Sequence, residues 1–280
     1  MCGIFGYICK TPLDIKKVVN ILSSLEVQQL PDEKTPVGGH GAGILIITNG
    51  KFKLLKTGRE SENSDTVEQL SQLIEKHWEI KECNIILGHV RRASPMFIDT
   101  VNFSECTQPY IASCLTSDIE IACSHNGRLN NYKKFINANH HYQSEPYGII
   151  DSEIYPHLLE DMISKGVPVK KIGEKLLDII EGKNAVSFIL RIKKEYYLLI
   201  VHKNSSRGLV IWQNHNNEIL FCSRELPVMN NLTKFIQRKH FIKSYEILYN
   251  QECNLHLLRN ITGLIKQIGK LSTNGVVRSA

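Results

Sequence analysis

Strand-like segments stand before, between and after helical ones, and the late strands are joined by turns short enough for hairpins; this order constrains the fold more than any other feature. Apolar and β-branched runs predict strands over residues 3–9, 42–48, 51–57, 84–89 and 119–125, then a cluster over 185–193, 196–203, 208–212, 219–223 and 241–249. Turns at 193–195 and 214–217 leave room only for antiparallel pairing. Helices are predicted over 12–29, 65–79, 131–139, 152–165 and 169–181; in the second, Thr66, Val67, Leu70, Leu73, Ile74 and His77 recur at helical spacing. Antiparallel sheets covered by helices, an α+β layered architecture, follow. Residues 259–280 are weakly patterned and read as an appendage or loose tail.

With 280 residues, 42% of them hydrophobic, the chain can bury a substantial core. Its apolar run at residues 4–8 is interrupted by Gly6 and too short for a signal-peptide core, and no stretch approaches the roughly 18 to 20 apolar residues that span a bilayer. A cytoplasmic protein is expected, with no membrane contact. The eight cysteines are then expected to be reduced, and none is arranged as CxxC. Cys106, Cys114 and Cys123 are spaced too openly for a zinc knuckle, so seven of the eight cysteines read as packing residues and neither metal nor cofactor is expected. The net charge of +6 comes from scattered pairs such as Lys133-Lys134 and Lys170-Lys171, without the clustered basic face that nucleic-acid binding needs.

Chemistry enters at Cys2, which precedes the apolar Gly3-Ile4-Phe5-Gly6-Tyr7. Removal of Met1 would leave a thiol and a free α-amine on one residue. A thiol with pKa about 8.5 is mostly protonated at neutral pH, whereas an α-amine near about 7.7 to 8.0 can accept its proton, through a bound water because direct contact is geometrically poor. A second-position Cys also simply tolerates Met removal and fills space in a first strand; three later segments turn the reading toward catalysis.

The first is Gly88-His89-Val90-Arg91, after the apolar Ile85-Ile86-Leu87, which puts a guanidinium fork at the end of a buried strand where it can grip a carboxylate. Next comes His125-Asn126-Gly127, where a strand ends and a helix is expected to start with Asn130 or Asn131 as its cap. Asn-Gly alone is a turn signal, but beside Cys2 the Asn126 amide and the Gly127 N–H are two donors for an oxyanion. Finally, Asp151-Ser152-Glu153 opens a helix; Asp151 reads first as its N-cap, and its carboxylate could also hold a substrate ammonium.

Together these segments resemble the class II glutamine amidotransferase domain of the N-terminal-nucleophile hydrolases. Met1 to Gly6 matches the family's Met-Cys-Gly-Ile-x-Gly opening; Gly88 to Arg91, His125 to Gly127 with Asn131-Tyr132, and Asp151 to Glu153 match its later motifs in order. Gly39-His40-Gly41-Ala42-Gly43-Ile44 is similar to the segment packed behind the nucleophile, Gln108-Pro109-Tyr110 to a motif before the oxyanion strand, and residues 182–186 and 221–225 to later structural strands. The resemblance implies a four-layer αββα sandwich over residues 1–230, with 231–280 as a C-terminal strand extension and tail. It implies that Cys2 attacks the glutamine side-chain amide, that Asn126 and Gly127 stabilise the oxyanion, that Arg91 holds the α-carboxylate and Asp151 the α-ammonium, and that water hydrolyses the γ-glutamyl thioester.

The sequence departs from the family at Arg92, where an aromatic is common, at Pro95, and in an enlarged stretch over 96–106 that would be the natural lid over glutamine. Residues 231–280 are too few for an acceptor domain of the usual size of about 100 or more, so the expected partner is a separate synthase subunit receiving ammonia. The alternatives are a free-standing hydrolase of glutamine or another γ-glutamyl amide, and a non-catalytic glutamine-binding or scaffold protein.

Overall fold

The computed structural model describes residues 2–248 apart from 32, 63, 194, 204–208, 214–218, 233–237 and 242–244; the expected tail, Cys253 and the 214–217 turn lie outside the described residues. The chain opens with β1 (Gly3–Asp14), whose last residue caps α1 (Ile15–Val27) by accepting the Lys16 N–H at 2.8 Å. A hairpin of β2 (Gly41–Thr48) and β3 (Lys51–Gly58) turns on Asn49 and Gly50, both with positive φ, as a tight two-residue connection requires. Asp65 caps α2 (Thr66–His77) through the Glu68 N–H, and β4 (Glu82–Val90) follows. The second half runs β5 (Tyr110–Ala112), β6 (Ile119–Gly127), α3 (Ile154–Ser164), α4 (Val169–Ile179), β7 (Asn184–Ile192), β8 (Glu195–Lys203), β9 (Val210–Gln213), β10 (Ile219–Cys222), α5 (Leu226–Asn231), β11 (Arg238–Phe241) and β12 (Tyr245–Leu248).

Among the described residues these strands form two antiparallel sheets, a seven-stranded one ordered β11-β9-β10-β1-β4-β2-β3 and a five-stranded one ordered β12-β8-β7-β6-β5. Side-chain alternation explains the stacking. Along β1, Ile4 and Ile8 enter a core shared with Ala122, Ile189 and Leu198 of the second sheet, while Phe5, Tyr7 and Cys9 enter the core beneath α1 and α2. A third core joins β6, β7 and β8 to α3 and α4. The layers are therefore helix, sheet, sheet, helix, as the resemblance implied. Among the described residues no helix is long and apolar enough to cross a membrane.

Three local expectations fail. Residues 131–139 hold only a 3₁₀ turn, Tyr132–Phe135, before the Asn-rich stretch turns on itself: Asn137 Oδ1 accepts the Asn139 N–H, a side-chain bond that competes with helix. Asn131 caps nothing there; its amide donates to the Ile179 carbonyl and accepts from the Glu181 N–H, tying the turn to the end of α4. The single strand expected over 241–249 is not one strand: Phe241 ends β11 at the edge of the seven-stranded sheet, and Tyr245–Leu248 form β12 at the edge of the other. The short β5 and α5 carry too few residues for a periodic signal.

Candidate active site

Register builds the site. Gly3 of β1 lies opposite Val90 of β4, so Cys2 at the start of one strand meets Arg91 and Arg92 at the end of its neighbour. The Arg92 N–H donates to Cys2 Sγ at 3.4 Å and the thiol lies 3.5 Å from the Arg92 carbonyl as donor. From the other sheet, the end of β6 brings Asn126, whose Oδ1 accepts the Cys2 backbone N–H at 3.3 Å. A cavity of about 550 Å³ opens here, lined by Cys2, Arg91, Asn126, Gly127 and Asp151 among others. The structure thus brings together every residue singled out in the sequence.

Each is held by contacts the sequence did not reveal. Arg91 is buried, with its guanidinium donating to the carbonyl and hydroxyl of Thr100 at 2.8 and 2.6 Å. Thr100 ends the 3₁₀ turn Pro95–Thr100, part of the expected lid; its Phe97 lines the cavity while Met96 and Ile98 are exposed. Asp151 is not the cap of α3: residues Asp151–Glu153 form a 3₁₀ turn, and the buried carboxylate accepts the Leu129 N–H at 2.9 Å, two residues beyond Gly127. That bond ties the start of α3 to the end of β6.

Gly127 has φ +150, and a Cβ there would stand 2.0 Å from the Lys183 carbonyl, so only glycine fits this corner. His125 is buried with both ring nitrogens engaged, Nδ1 with Ser152 Oγ at 2.8 Å and Nε2 with Asn184 Oδ1 at 3.0 Å. Burial lowers its pKa, and it braces β6 against the Asp151 turn. Gln108 grips the His125 backbone from both sides. Behind Arg92, His40 Nδ1 accepts the Ala93 N–H at 3.1 Å; burial and the Arg92 charge push His40 down to about 4, which keeps it an acceptor at neutral pH.

Burial raises the Cys2 thiol above its ordinary value, opposed by the Arg92 N–H and the Arg91 charge. A thiol so placed needs a base to become a nucleophile. Of the cysteines read as packing residues, Cys9, Cys83, Cys106, Cys123 and Cys222 are buried, whereas Cys114 is exposed, and all the described cysteines are free of disulfides.

No family model matches the chain. It is 25% identical over 233 residues to glutamine–fructose-6-phosphate aminotransferase (isomerizing) of Helicobacter pylori, a match covering 82% of this chain and 33% of the relative. The chain thus spans about a third of the length of that relative. Among solved structures, glutamine phosphoribosylpyrophosphate amidotransferase from B. subtilis superposes with a TM-score of 0.59 at 19% identity, covering 89% of this chain and 48% of that one. A structure named as a predicted glutamine amidotransferase from Pseudomonas aeruginosa superposes with a TM-score of 0.51 at 14% identity, covering 88% of this chain and 96% of that one. The chain's relatives in sequence thus include glutamine–fructose-6-phosphate aminotransferases and its neighbours in structure include glutamine amidotransferases, and the motifs that resemble the class II glutamine amidotransferase domain gather at one cavity.

Proposed function

We propose that this chain is a glutaminase that hydrolyses the side-chain amide of glutamine and supplies the ammonia to a separate synthase subunit. The observation that carries the reading is the meeting of Cys2 with Asn126 across the two sheets, at a cavity also lined by a buried Arg and a buried Asp. With Met1 removed, the α-amine takes the thiol proton and Cys2 Sγ bonds to the amide carbon. The oxyanion forms beside Asn126 and Gly127, whose donors act in the transition state. The C–N bond then breaks, the proton leaves with ammonia, and water cleaves the γ-glutamyl thioester to glutamate and free thiol. Arg91 and Asp151 fix the α-carboxylate and α-ammonium, so only the side-chain amide reaches the thiol.

The proposed division is a donor domain over residues 1–230 followed by an extension over 231–280. The described cores all belong to the one four-layer sandwich, which supports a single donor domain. Pull-down from the native host, followed by a glutaminase assay of the chain with and without the recovered protein and its acceptor, tests the reading. A higher glutamine turnover with the partner is expected. Full-rate hydrolysis by the chain alone, with no partner recovered, would instead make it a free-standing hydrolase, and no hydrolysis under either condition would leave a glutamine-binding or scaffold protein.

A further inference from the structure

We propose that Cys114, His140, His157 and Glu160 form a zinc site on the helix-covered side of the five-stranded sheet, apart from the glutamine cavity. None of the four lines the Cys2 cavity. They come from three separate places: Cys114 follows β5, His140 lies in the turn region before α3, and His157 and Glu160 stand three residues apart on one face of α3. One donor atom from each lies within 4.8 Å of all the others. Cys114 Sγ is 3.7 Å from His157 Nδ1, His140 Nδ1 is 3.5 Å from Glu160 Oε2, and His157 Nδ1 is 4.0 Å from that same oxygen. Tetrahedral zinc, with bonds of about 2.0 to 2.3 Å, sets neighbouring ligand atoms roughly 3.3 to 3.7 Å apart, so small side-chain shifts would close the shell.

Satisfaction of polar groups points the same way. His140, His157 and Glu160 are buried, yet Glu160 Oε2 and both ring nitrogens of His140 have no hydrogen bond. Buried polar atoms without partners are costly, and a cation at the centre of this cluster supplies the partner that Glu160 Oε2 and His140 Nδ1 lack. The groups that would orient the ligands are already in place: Glu160 Oε1 accepts the Leu115 N–H at 2.7 Å, Cys114 Sγ accepts the His141 N–H at 3.4 Å, and Asp161 Oδ1 stands 3.2 Å from His140 Nε2. One thiolate, two imidazoles and one carboxylate form a borderline-soft set that suits zinc. Four protein ligands leave no open position, so the site is structural, clamping the segment after β5 and the turn region around His140 onto α3. The sequence expectation of no metal rested on cysteine spacing; the usable signal was His157-x-x-Glu160 on a helix, with its other ligands distant in the chain.

Metal analysis and cobalt spectroscopy on the full chain test this. A Cys2→Ala background removes the other accessible thiol among the described residues. After chelation, the protein is given zinc and desalted, or given cobalt(II) and scanned. One zinc per chain is expected, with a tetrahedral cobalt spectrum that includes a thiolate charge-transfer band. Cys114 is exposed, so Cys114→Ser keeps the fold while losing that band; His157→Gln should weaken zinc retention by about tenfold or more. A parent that retains no zinc, or a Cys114→Ser chain that keeps the thiolate band, would overturn the assignment.

Discussion

The Arg91 guanidinium donates to both oxygens of Thr100, the carbonyl at 2.8 Å and the hydroxyl at 2.6 Å. The turn over the cavity is thus the support that aims the arginine. Thr100→Val keeps the shape and the carbonyl contact but removes the hydroxyl acceptor. Loss of one such bond is worth about 1 kcal/mol, so KM for glutamine should rise about fivefold with kcat little changed. Steady-state kinetics check this; an unaltered KM would mean that Thr100 does not aim Arg91.

Arg91 and Asn126 should fail in different ways. Arg91→Lys keeps the charge but loses the fork, and glutamine binding should weaken by about 2 to 5 kcal/mol. Asn126→Ala should lower kcat by about 10² to 10³ and leave KM nearly unchanged, because an oxyanion donor acts in the transition state. Comparable losses in both parameters for both variants would contradict these roles.

Gly43 lets the two sheets approach at the site. A Cβ there would stand 2.1 Å from the Gln108 carbonyl, and Gln108 is the residue that grips the His125 backbone. Gly43→Ala must push Gln108 away and loosen the strand that carries Asn126. A stability loss of about 1 to 3 kcal/mol in denaturant, typical of overpacking, is expected together with a lower kcat. Wild-type turnover in a merely destabilised variant would separate the two effects and refute the link.

Glu26 gives a pH dependence with a definite sign. It is buried where α1 meets α2, accepting from Thr66 and from the Val67 N–H, and burial pushes its carboxyl up to about 7 from an ordinary 4.5. The folded state holds the proton more tightly than the unfolded state. Its contribution is therefore fully present below the unfolded value and is lost as pH rises through about 7. The loss amounts to up to about 3 kcal/mol. Glu26→Gln cannot ionise, so the fall in unfolding free energy between about pH 5 and about pH 8 should shrink by that order. An unchanged slope in denaturation curves would show that Glu26 is already ionised at low pH.

Cys2, Arg91, Asn126, Gly127 and Asp151 were legible because each sits in a short local motif, and the strand alternation around Ile4 and Ile8 specified which faces are buried. Thr100 was not, and Ser152, Asn184 and Gln108 stood out only as members of motifs without a role of their own, because all four act through contacts between segments distant in the chain. Asp151 misled for a related reason: a carboxylate before a helix looks like its cap, whereas this one serves the Leu129 N–H from another layer. The apolar stretch at 241–249 carried strand character correctly for Tyr245–Leu248, but held no signal that Phe241 ends a different strand in the other sheet.

The central claim is that Cys2, freed at its amino group, is the nucleophile. Intact-mass analysis and peptide mapping of the active chain after reaction with a glutamine-analogue affinity label test it most directly. The account predicts loss of Met1 and a single adduct on Cys2, with no adduct in Cys2→Ala. Active protein that retains Met1, or a label carried by Cys9 or another thiol, would contradict it.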